Sequence, residues 1–312
     1  MRYVKSAIRS IVRVPLMRSA LQRRPALIVP LYHAVDPDPP AFMARMQIVT
    51  HPAEFEEHLL WFRENFAIAP LAEAIQLLRT GALKRSTVAI TFNDGLESWD
   101  RHARPLLREY DIPCTVFVNA ATLRVGYVWQ YAVAWLEQQG RRDVLEECFG
   151  PCDGDYLHEL RWNANASCWR RGAARLVTHA AIREMPLLHV SLVRWSALQD
   201  DPLIEIGNHG MDHARFSLLD ADEQSRQILD SARMLGEFRN YRRLFAVPFG
   251  KQCDWNLKTV AAAAAAEHEF VTAQGGVNPR GHAGVDIRRL PCDGLPAAQL
   301  EEHVIREGLG VL

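Results

Sequence analysis

The chain has 312 residues, and 48% of them are hydrophobic, which is enough for one large α/β domain or two small ones. Its 36 basic and 37 acidic residues give a net charge of -1, so we predict no nucleic-acid partner. The six cysteines include no Cys-x-x-Cys pair, a pattern typical of ordinary cytosolic usage and not of a disulfide framework.

Residues 1–25 form a basic leader. Seven basic residues precede the first acidic residue, Asp36: Arg2, Lys5, Arg9, Arg13, Arg18, Arg23 and Arg24. Two interpretations stay open, a short amphipathic helix on an anionic membrane surface or a solvated, disordered leader. No apolar run follows that is long enough for a signal peptide or a membrane span. We therefore predict a cytoplasmic protein, which under the first interpretation is peripheral to the inner face of the membrane.

Short apolar runs alternate with helical patterns along the rest of the chain, 26–312. The runs that predict buried parallel strands cover 26–31, 88–92, 114–118, 203–206, 244–247 and 270–272. The helical patterns cover 52–66, 71–78, 220–238 and 255–266. This alternation predicts an α/β fold, either a barrel or an open sheet.

Residues 121–193 interrupt the alternation and predict a largely helical insertion. The insertion contains half of the eight tryptophans, namely Trp129, Trp135, Trp162 and Trp169. Tryptophan rings in such a place either stack on sugar rings or form the local core of the insertion.

Polar and titratable residues follow four of the predicted strands, at the point where each strand ends. They are His33, the Asn93-Asp94-Gly95 segment, the segment from Gly207 to His213, and Pro248-Phe249-Gly250. The C-terminal ends of parallel strands share one face of an α/β fold, and sites are built there. We therefore expect these residues to converge.

Asp94, His209 and His213 predict a metal site with two histidines and one carboxylate. Such ligands suit zinc and similar divalent ions, and three protein ligands leave a position open for water. A divalent ion lowers the pKa of a bound water to around 7 and can polarise a carbonyl group. A site of this kind fits hydrolysis of an acyl group. A His-x-x-x-His spacing or an Asp-Gly pair alone would indicate only a surface pair or a turn.

Three segments resemble motifs of the polysaccharide deacetylase family (NodB-like, carbohydrate esterase 4). Thr91-Phe92-Asn93-Asp94-Gly95 resembles the Thr-Phe-Asp-Asp-Gly motif, and Glu205 to His213 resembles the segment with two metal-binding histidines. Phe245 to Gly250 resembles the segment that lines the groove. Leu31-Tyr32-His33 resembles the branch whose general acid lies near the N-terminus, as in exopolysaccharide deacetylases. The likeness spans nearly the whole chain.

The resemblance implies a distorted (β/α) barrel of about seven strands, fewer than the eight of a regular barrel. It assigns the metal, Zn²⁺ or else Co²⁺, Mn²⁺ or Ni²⁺, to Asp94, His209 and His213. It implies that His33 protonates the leaving amine. It also implies that Pro248, Phe249 and Gly250 line the oxyanion site, with the Phe249 amide as a hydrogen-bond donor.

Position 93 departs from the family pattern, because Asn93 stands where the family has the aspartate that acts as general base. An amide cannot take a proton from water at neutral pH, and a general base contributes roughly 10²–10⁴-fold. We therefore expect a slow enzyme unless another group serves. Asp212 is a candidate replacement base, and its alternative role is a loop carboxylate that caps backbone N–H groups.

A second departure concerns the arginine that often contacts the base in this family, shortly after a Leu-Pro pair. Here Leu290-Pro291 is followed by Cys292. Arg288 and Arg289 lie just before the pair, and two interpretations stay open, that one of them substitutes for this arginine or that neither does. Loss of both base and arginine would indicate a natural specialisation. A change at position 93 alone would also fit an introduced inactivating substitution.

We predict a metal-dependent hydrolase that removes an N-acetyl group from an amino sugar of a glycan or glycan precursor. A cytoplasmic location with a basic leader favours a lipid-linked or nucleotide-linked substrate. One alternative is a glycan-binding pseudoenzyme, although an intact His33 argues against a pure binder. The other is a hydrolase of a non-sugar amide, such as a formyl or cyclic imide group, which a small closed pocket would favour.

Overall fold

The computed structural model describes residues 25–162 and 166–309, and their side chains except those at 162, 166–170 and 308–309. Apart from Pro25, the predicted basic leader lies outside the described residues. The strands are β1 (Ala26–Ile28), β2 (Pro30–Tyr32), β3 (Ala34–Val35), β4 (Val49–Thr50), β5 (Ala67–Ile68), β6 (Thr87–Val88), β7 (Ile90–Phe92), β8 (Cys114–Val118), β9 (Ile204–Asn208), β10 (Tyr241–Ala246), β11 (Glu269–Thr272), β12 (Asn278–Pro279), β13 (Asp286–Arg288) and β14 (Leu290–Pro291).

The α-helices lie between these strands and after the last one. They are α1 (Ala41–Arg45), α2 (Pro52–Asn65), α3 (Leu71–Arg79), α4 (Arg104–Glu109), α5 (Thr122–Val125), α6 (Trp129–Gln138), α7 (Arg142–Phe149), α8 (Tyr156–Trp162), α9 (Ala166–Thr178), α10 (Leu192–Leu198), α11 (Ala221–Leu235), α12 (Leu257–Ala265) and α13 (Ala297–Leu309). Short π- or 3₁₀-helical segments cover Trp99–Ala103, Ala180–Glu184, Phe216–Leu218 and Gln252–Asp254.

Eight strand segments form one sheet that curls into a barrel. Their order is β13-β11-β10-β9-β8-β7-β2-β14, and every neighbouring pair is parallel. The two outer segments, β13 and β14, are consecutive in the chain and are separated only by Arg289. This one stretch pairs with β11 on one side and β2 on the other, so it joins the two edges of the sheet. The predicted distorted (β/α) barrel is therefore confirmed.

Helix caps set the positions of two barrel helices. The Asp220 side chain accepts a hydrogen bond from the amide of Glu223 and begins α11. The Asn256 side chain accepts from the amides of Lys258 and Thr259 and begins α12. Side chains of this type satisfy N–H groups that have no partner inside the helix. The predicted helices over 52–66, 71–78, 220–238 and 255–266 are all present, as α2, α3, α11 and α12.

The barrel strands carry apolar residues on both faces. Neighbouring residues of a strand belong to different hydrophobic clusters. Val116 and Ile206 pack with the outer helices, whereas Phe117 and Ala246 belong to a second cluster that includes residues of α3. Burial on both faces is what parallel strands covered by helices require.

The Trp195 ring on α10 is fully buried and stacks on Trp99, with ring centroids 5.4 Å apart. We expect Trp195→Ala to lower the free energy of unfolding by about 3–5 kcal/mol, because a large cavity replaces the indole. Val193→Ala on the same helix is the matched control, since Val193 is 80% exposed and a surface change of this kind costs less than about 0.5 kcal/mol. Chemical denaturation checks both variants, and equal effects would contradict the packing argument.

Residues 121–193 form the helices α5 to α9 and lead into α10. Trp129 and Trp135 are buried in the apolar cluster of this region, which favours the local-core interpretation for both. The side chains of Trp162 and Trp169 lie outside the described residues. In the described ranges, none of the helices has both the length and the apolar character that crossing a membrane requires.

Candidate active site

Asp94, His209 and His213 come together at the C-terminal ends of β7 and β9. The Oδ1 atom of Asp94 lies 3.5 Å from Nε2 of His209 and 3.6 Å from Nε2 of His213. All three side chains are buried, and one ligand atom from each lies within 4.8 Å of the others. The structure therefore brings together the three predicted metal ligands.

The donor atoms of this cluster fit a divalent cation. Within the described part of the chain, Asp94 Oδ1 and His209 Nε2 are buried without a hydrogen-bond partner. Unpartnered buried polar atoms are costly, and a cation between them would satisfy both. A carboxylate with two imidazoles is also a donor set that zinc and related ions accept.

The protonation states suit metal binding as well. Burial lowers the pKa of His213 to about 4 and that of His209 well below its ordinary value, so both rings are neutral near pH 7. Burial alone would raise the pKa of Asp94. Interactions with His213, His209 and His33, and a hydrogen bond from Tyr131, outweigh burial and hold that pKa well below its ordinary value. One carboxylate and two neutral imidazoles are the forms that ligate metals.

The loop that carries the two histidines is fixed by its neighbours. His209 Nδ1 lies 2.6 Å from the Ala246 carbonyl, so Nδ1–H donates there and Nε2 keeps its lone pair toward Asp94. On α11, Ser231 donates to the carbonyl of Gly210, and Gln227 accepts from the amide of Met211. Two side chains of helix α11 therefore fix the backbone of the loop through hydrogen bonds.

The backbone is strained at the site. Asp94, His213 and Phe249 adopt positive φ angles of 69°, 57° and 62°, a conformation uncommon for residues other than glycine. Gly95 also has a positive φ, and a Cβ there would lie 3.2 Å from the Trp195 ring. The glycine after Asp94 is therefore required both by the turn and by the packing of Trp195.

The predicted general acid, His33, follows β2 and lies beside Asn93. Its Nδ1 lies 2.6 Å from Oδ2 of Asp293, whose Oδ1 accepts from the His33 amide at 2.8 Å. Its Nε2 lies 3.3 Å from Nδ2 of Asn93. Burial tends to lower the pKa of His33, but the charge and hydrogen bond of Asp293 outweigh this and raise it. A raised pKa suits a group that must be protonated to act as an acid.

Arg289 is fully buried and donates from Nη1 to Oδ1 of Asn93 at 2.7 Å. Its Nε donates to the Thr272 carbonyl, so both acceptors are neutral. Burial lowers the pKa of the guanidinium to about 9, which still leaves it charged near pH 7. The arginine that contacts position 93 is therefore present before Leu290-Pro291, and the carboxylate is what this site lacks.

Of the remaining predicted residues, Phe249 lies beside His213 and Asp212 lines a different cavity. Phe249 packs edge-on against His213, with centroids 4.7 Å apart, in the turn where the Gly250 amide donates to the Pro248 carbonyl. Asp212 lines a neighbouring cavity of about 220 Å³, where its own amide donates to Gln227. The structure thus brings Phe249 to the three predicted metal ligands, whereas Asp212 does not line the cavity that His33 lines.

A cavity of about 580 Å³ lies above the site. This volume falls within the range of small-molecule sites. It is lined by His33, Asn93, Asp94, His213 and Phe249 from the barrel, by Arg45, Met46 and Ile48 near α1, and by Gln130, Tyr131, Asp155, Leu157, His158 and Arg161 from the insertion. Arg45 bridges the two walls through an ion pair with Asp155 at 2.6 Å.

Three site residues were not predicted from the sequence: Gln130, Tyr131 and Asp293. The sequence left open whether Arg288 or Arg289 replaces the arginine that contacts position 93, and Arg289 makes that contact. Asp293 stands shortly after the end of β14, but no apolar run marks that strand, so the sequence did not show that Asp293 follows a strand end like the other site residues. Gln130 and Tyr131 belong to the insertion, and no local pattern marks them as polar partners of the barrel.

Comparisons with known proteins agree with this geometry. The family model for polysaccharide deacetylase matches residues 80–142 and 191–271, leaving most of the insertion unmatched. The Streptococcus pyogenes deacetylase PplD, solved in complex with acetate, is 16% identical with a TM-score of 0.63, over 90% of this chain and 99% of that one. IcaB from Ammonifex degensii is 19% identical with a TM-score of 0.60, over 89% and 97%. No significant match was found among curated proteins. At these identities the solved structures show a shared fold.

Proposed function

The chain belongs to the polysaccharide deacetylase family, and on that premise we propose a metal-dependent hydrolase that removes an N-acetyl group from an amino sugar. The observation that carries the proposal is the buried Asp94-His209-His213 cluster with two unpartnered ligand atoms. Family membership supports deacetylation of a glycan in general. The donor set supports the metal dependence, and the neighbouring acid His33 supports cleavage of a C–N bond.

Each residue has a role that its contacts support. Asp94, His209 and His213 would hold a divalent ion, with Zn²⁺ as the first choice, and the ion would supply a Lewis acid for the acetamide carbonyl and lower the pKa of water. The nucleophile is then hydroxide, formed when a water of lowered pKa has released its proton to solvent. As the hydroxide adds to the carbonyl carbon and the C–N bond breaks, His33 Nε2 gives its proton to the departing amine nitrogen, and acetate and the free amine result. Asp293 keeps the His33 ring oriented through Nδ1. Phe249 lines the cavity, and its amide would donate a hydrogen bond to the oxyanion.

Asn93 orients groups at the site but cannot serve as a base. Its Oδ1 faces Arg289 and its Nδ2 faces His33, which leaves one lone pair and one N–H for a water molecule. The native protein then works without a general base at position 93, and turnover is slow by roughly the 10²–10⁴-fold that such a base supplies.

We expect Asp293→Asn to move the alkaline limb of the kcat/KM profile to lower pH. The charge of Asp293 raises the pKa of His33, so removing it lowers that pKa and the protonated acid is lost sooner as pH rises. The profile of acetate release from neutral to alkaline pH checks this. Asp38→Asn, at an exposed position, is the control. An unmoved limb would assign the alkaline pKa to another group.

The substrate class follows from the family and the cavity. A cavity of about 580 Å³ with the rings of Tyr131 and Phe249 on its wall suits one or a few sugar units. We further propose that the substrate is a cytoplasmic glycan precursor, reached at the inner face of the membrane through the basic leader.

The direct test is acetate release from N-acetylglucosamine oligomers and lipid-linked N-acetylated sugars, with added Zn²⁺ or Co²⁺. Release that depends on the added ion supports the proposal. The second candidate, a glycan-binding pseudoenzyme, is favoured by Asn93 alone. It predicts binding of these sugars without acetate release. No binding and no release would overturn the proposed substrate class.

A further inference from the structure

The first turn of helix α6, in the insertion, lies against the candidate metal ligands. Trp129, Gln130 and Tyr131 are consecutive and buried, and each contacts Asp94 or His213. We propose that α6 is a positioning element for the metal site, in which Tyr131 orients Asp94 and Gln130 orients His213. This inference rests on the proposed metal-dependent function and adds to it the residues that set metal affinity.

Tyr131 makes the two carboxylate oxygens of Asp94 unequal. Its hydroxyl donates to Oδ2 at 2.6 Å, whereas Oδ1 faces His209 and His213 without a hydrogen-bond partner among the described residues. The Tyr131 side chain is almost fully buried, so its hydroxyl cannot exchange this partner for bulk water. The bond holds the carboxylate plane and leaves Oδ1 as the ligand atom.

Gln130 plays the corresponding role for His213. Its side-chain amide contacts His213 Nδ1, and its Nε2 also donates to the His213 carbonyl at 3.3 Å. In the structure Nε2 faces the ring and Oε1 has no hydrogen-bond partner within the described ranges. Rotating the amide by half a turn gives up both Nε2 contacts and brings Oε1 to Nδ1–H, which leaves the Nε2 lone pair of His213 for the metal. The His213 carbonyl then keeps the Nε1–H of Trp129 as its donor at 3.3 Å.

The barrel and the insertion contribute different parts of the candidate metal site. The barrel supplies all three ligands, but the barrel strands supply the outer partner of only one of them, the Ala246 carbonyl for His209. The outer partners of Asp94 and His213 come from α6. Outer partners of this kind fix ligand orientation, and their loss typically weakens metal binding by about 10–100-fold.

The test measures metal binding directly, apart from catalysis. Zn²⁺ affinity of the purified full chain is determined by competition with a chromophoric chelator, and the visible absorption of the Co²⁺ form reports the coordination geometry. We expect Tyr131→Phe to weaken Zn²⁺ binding by about 10–100-fold and to change the Co²⁺ spectrum. Gln130→Leu should also weaken Zn²⁺ binding and change the Co²⁺ spectrum. Gln130→Glu should keep the native Zn²⁺ affinity, because its carboxylate still accepts a hydrogen bond from the Nδ1–H of His213.

Tyr156→Phe is the matched control. Tyr156 is also buried in the insertion, and its hydroxyl donates to the Gly150 carbonyl at 2.8 Å without touching a ligand. Like Tyr131→Phe, Tyr156→Phe therefore removes one hydroxyl oxygen and one hydrogen bond from the insertion. We expect its Zn²⁺ affinity and Co²⁺ spectrum to equal those of the native protein.

The outcomes separate this inference from the function on which it rests. Native binding that is weakened by Tyr131→Phe but not by Tyr156→Phe supports the inference. Native binding that Tyr131→Phe leaves unchanged, or that Tyr156→Phe weakens equally, overturns the inference alone. A native protein that binds neither ion overturns the proposed metal dependence and the inference together.

Discussion

Substitution of His209 by alanine is expected to abolish metal binding and acetate release together. His209 is fully buried, its Nε2 has no hydrogen-bond partner in the described part of the chain, and Asp94 Oδ1 lies 3.5 Å away. Removal of the ring deletes a ligand and not only an outer partner, so the loss of affinity should exceed about 10–100-fold. Calorimetric titration of the metal-free protein with Zn²⁺ measures the binding, and acetate release measures the activity.

His102→Ala is the control for this experiment. His102 is half-buried on the segment Trp99–Ala103 and does not line the cavity, so its loss should leave the Zn²⁺ affinity unchanged. The assignment of the metal site would be wrong if His209→Ala bound Zn²⁺ as tightly as the native protein. If the variant lost the metal but kept its turnover, the metal would be structural and the proposed mechanism would fail.

The α/β barrel and most of its strands could be predicted from the sequence, because these strands are buried on both faces. Continuous apolar runs such as 114–118 and 244–247 are the pattern that such burial imposes. The closing stretch, with β13 and β14, was missed for a physical reason. It is short and carries Asp286, Arg288 and Arg289, so no apolar run marks it. Its strand character comes from pairing with β11 and β2, which is a tertiary effect.

The same stretch explains why part of the site could not be predicted. Asp94, His209 and His213 were identified because each follows an identifiable strand. Arg289 lies between β13, which pairs with β11, and β14, which pairs with β2. Its guanidinium donates a hydrogen bond to Asn93. The sequence left open whether Arg288 or Arg289 reaches position 93, because the contact depends on barrel closure, which a sequence pattern with a period of two or 3.6 residues does not contain.

Asn93→Asp is the substitution expected to raise activity most. It restores a carboxylate at a position where Arg289 Nη1 already donates to Oδ1 at 2.7 Å, in a side chain of nearly the same shape. The positive charge of Arg289 should keep the new carboxylate ionised and able to accept a proton from water. We expect kcat to rise by roughly 10²–10⁴-fold, the contribution of a general base. Initial rates of acetate release at saturating metal measure this.

A double-mutant cycle keeps this prediction specific. In the His209→Ala background, Asn93→Asp should give no gain, because a general base has nothing to act on when the metal site is lost. A gain that survives there would come from another reaction. An Asn93→Asp variant no faster than the native protein would show that position 93 does not hold the base in this chain.

The pH profile supplies a second and independent mark of the restored carboxylate. Asn93 turns an N–H donor toward His33 Nε2 at 3.3 Å, because Arg289 occupies its oxygen, so it cannot accept a hydrogen bond from the protonated ring there. An aspartate would present an oxygen and a negative charge instead. Both favour the protonated imidazole, so the pKa of His33 should rise and the alkaline limb of kcat/KM should move to higher pH. This shift is opposite in sign to that expected for Asp293→Asn. If the two variants move the limb in opposite directions, the limb belongs to His33, whose ring lies between the two residues.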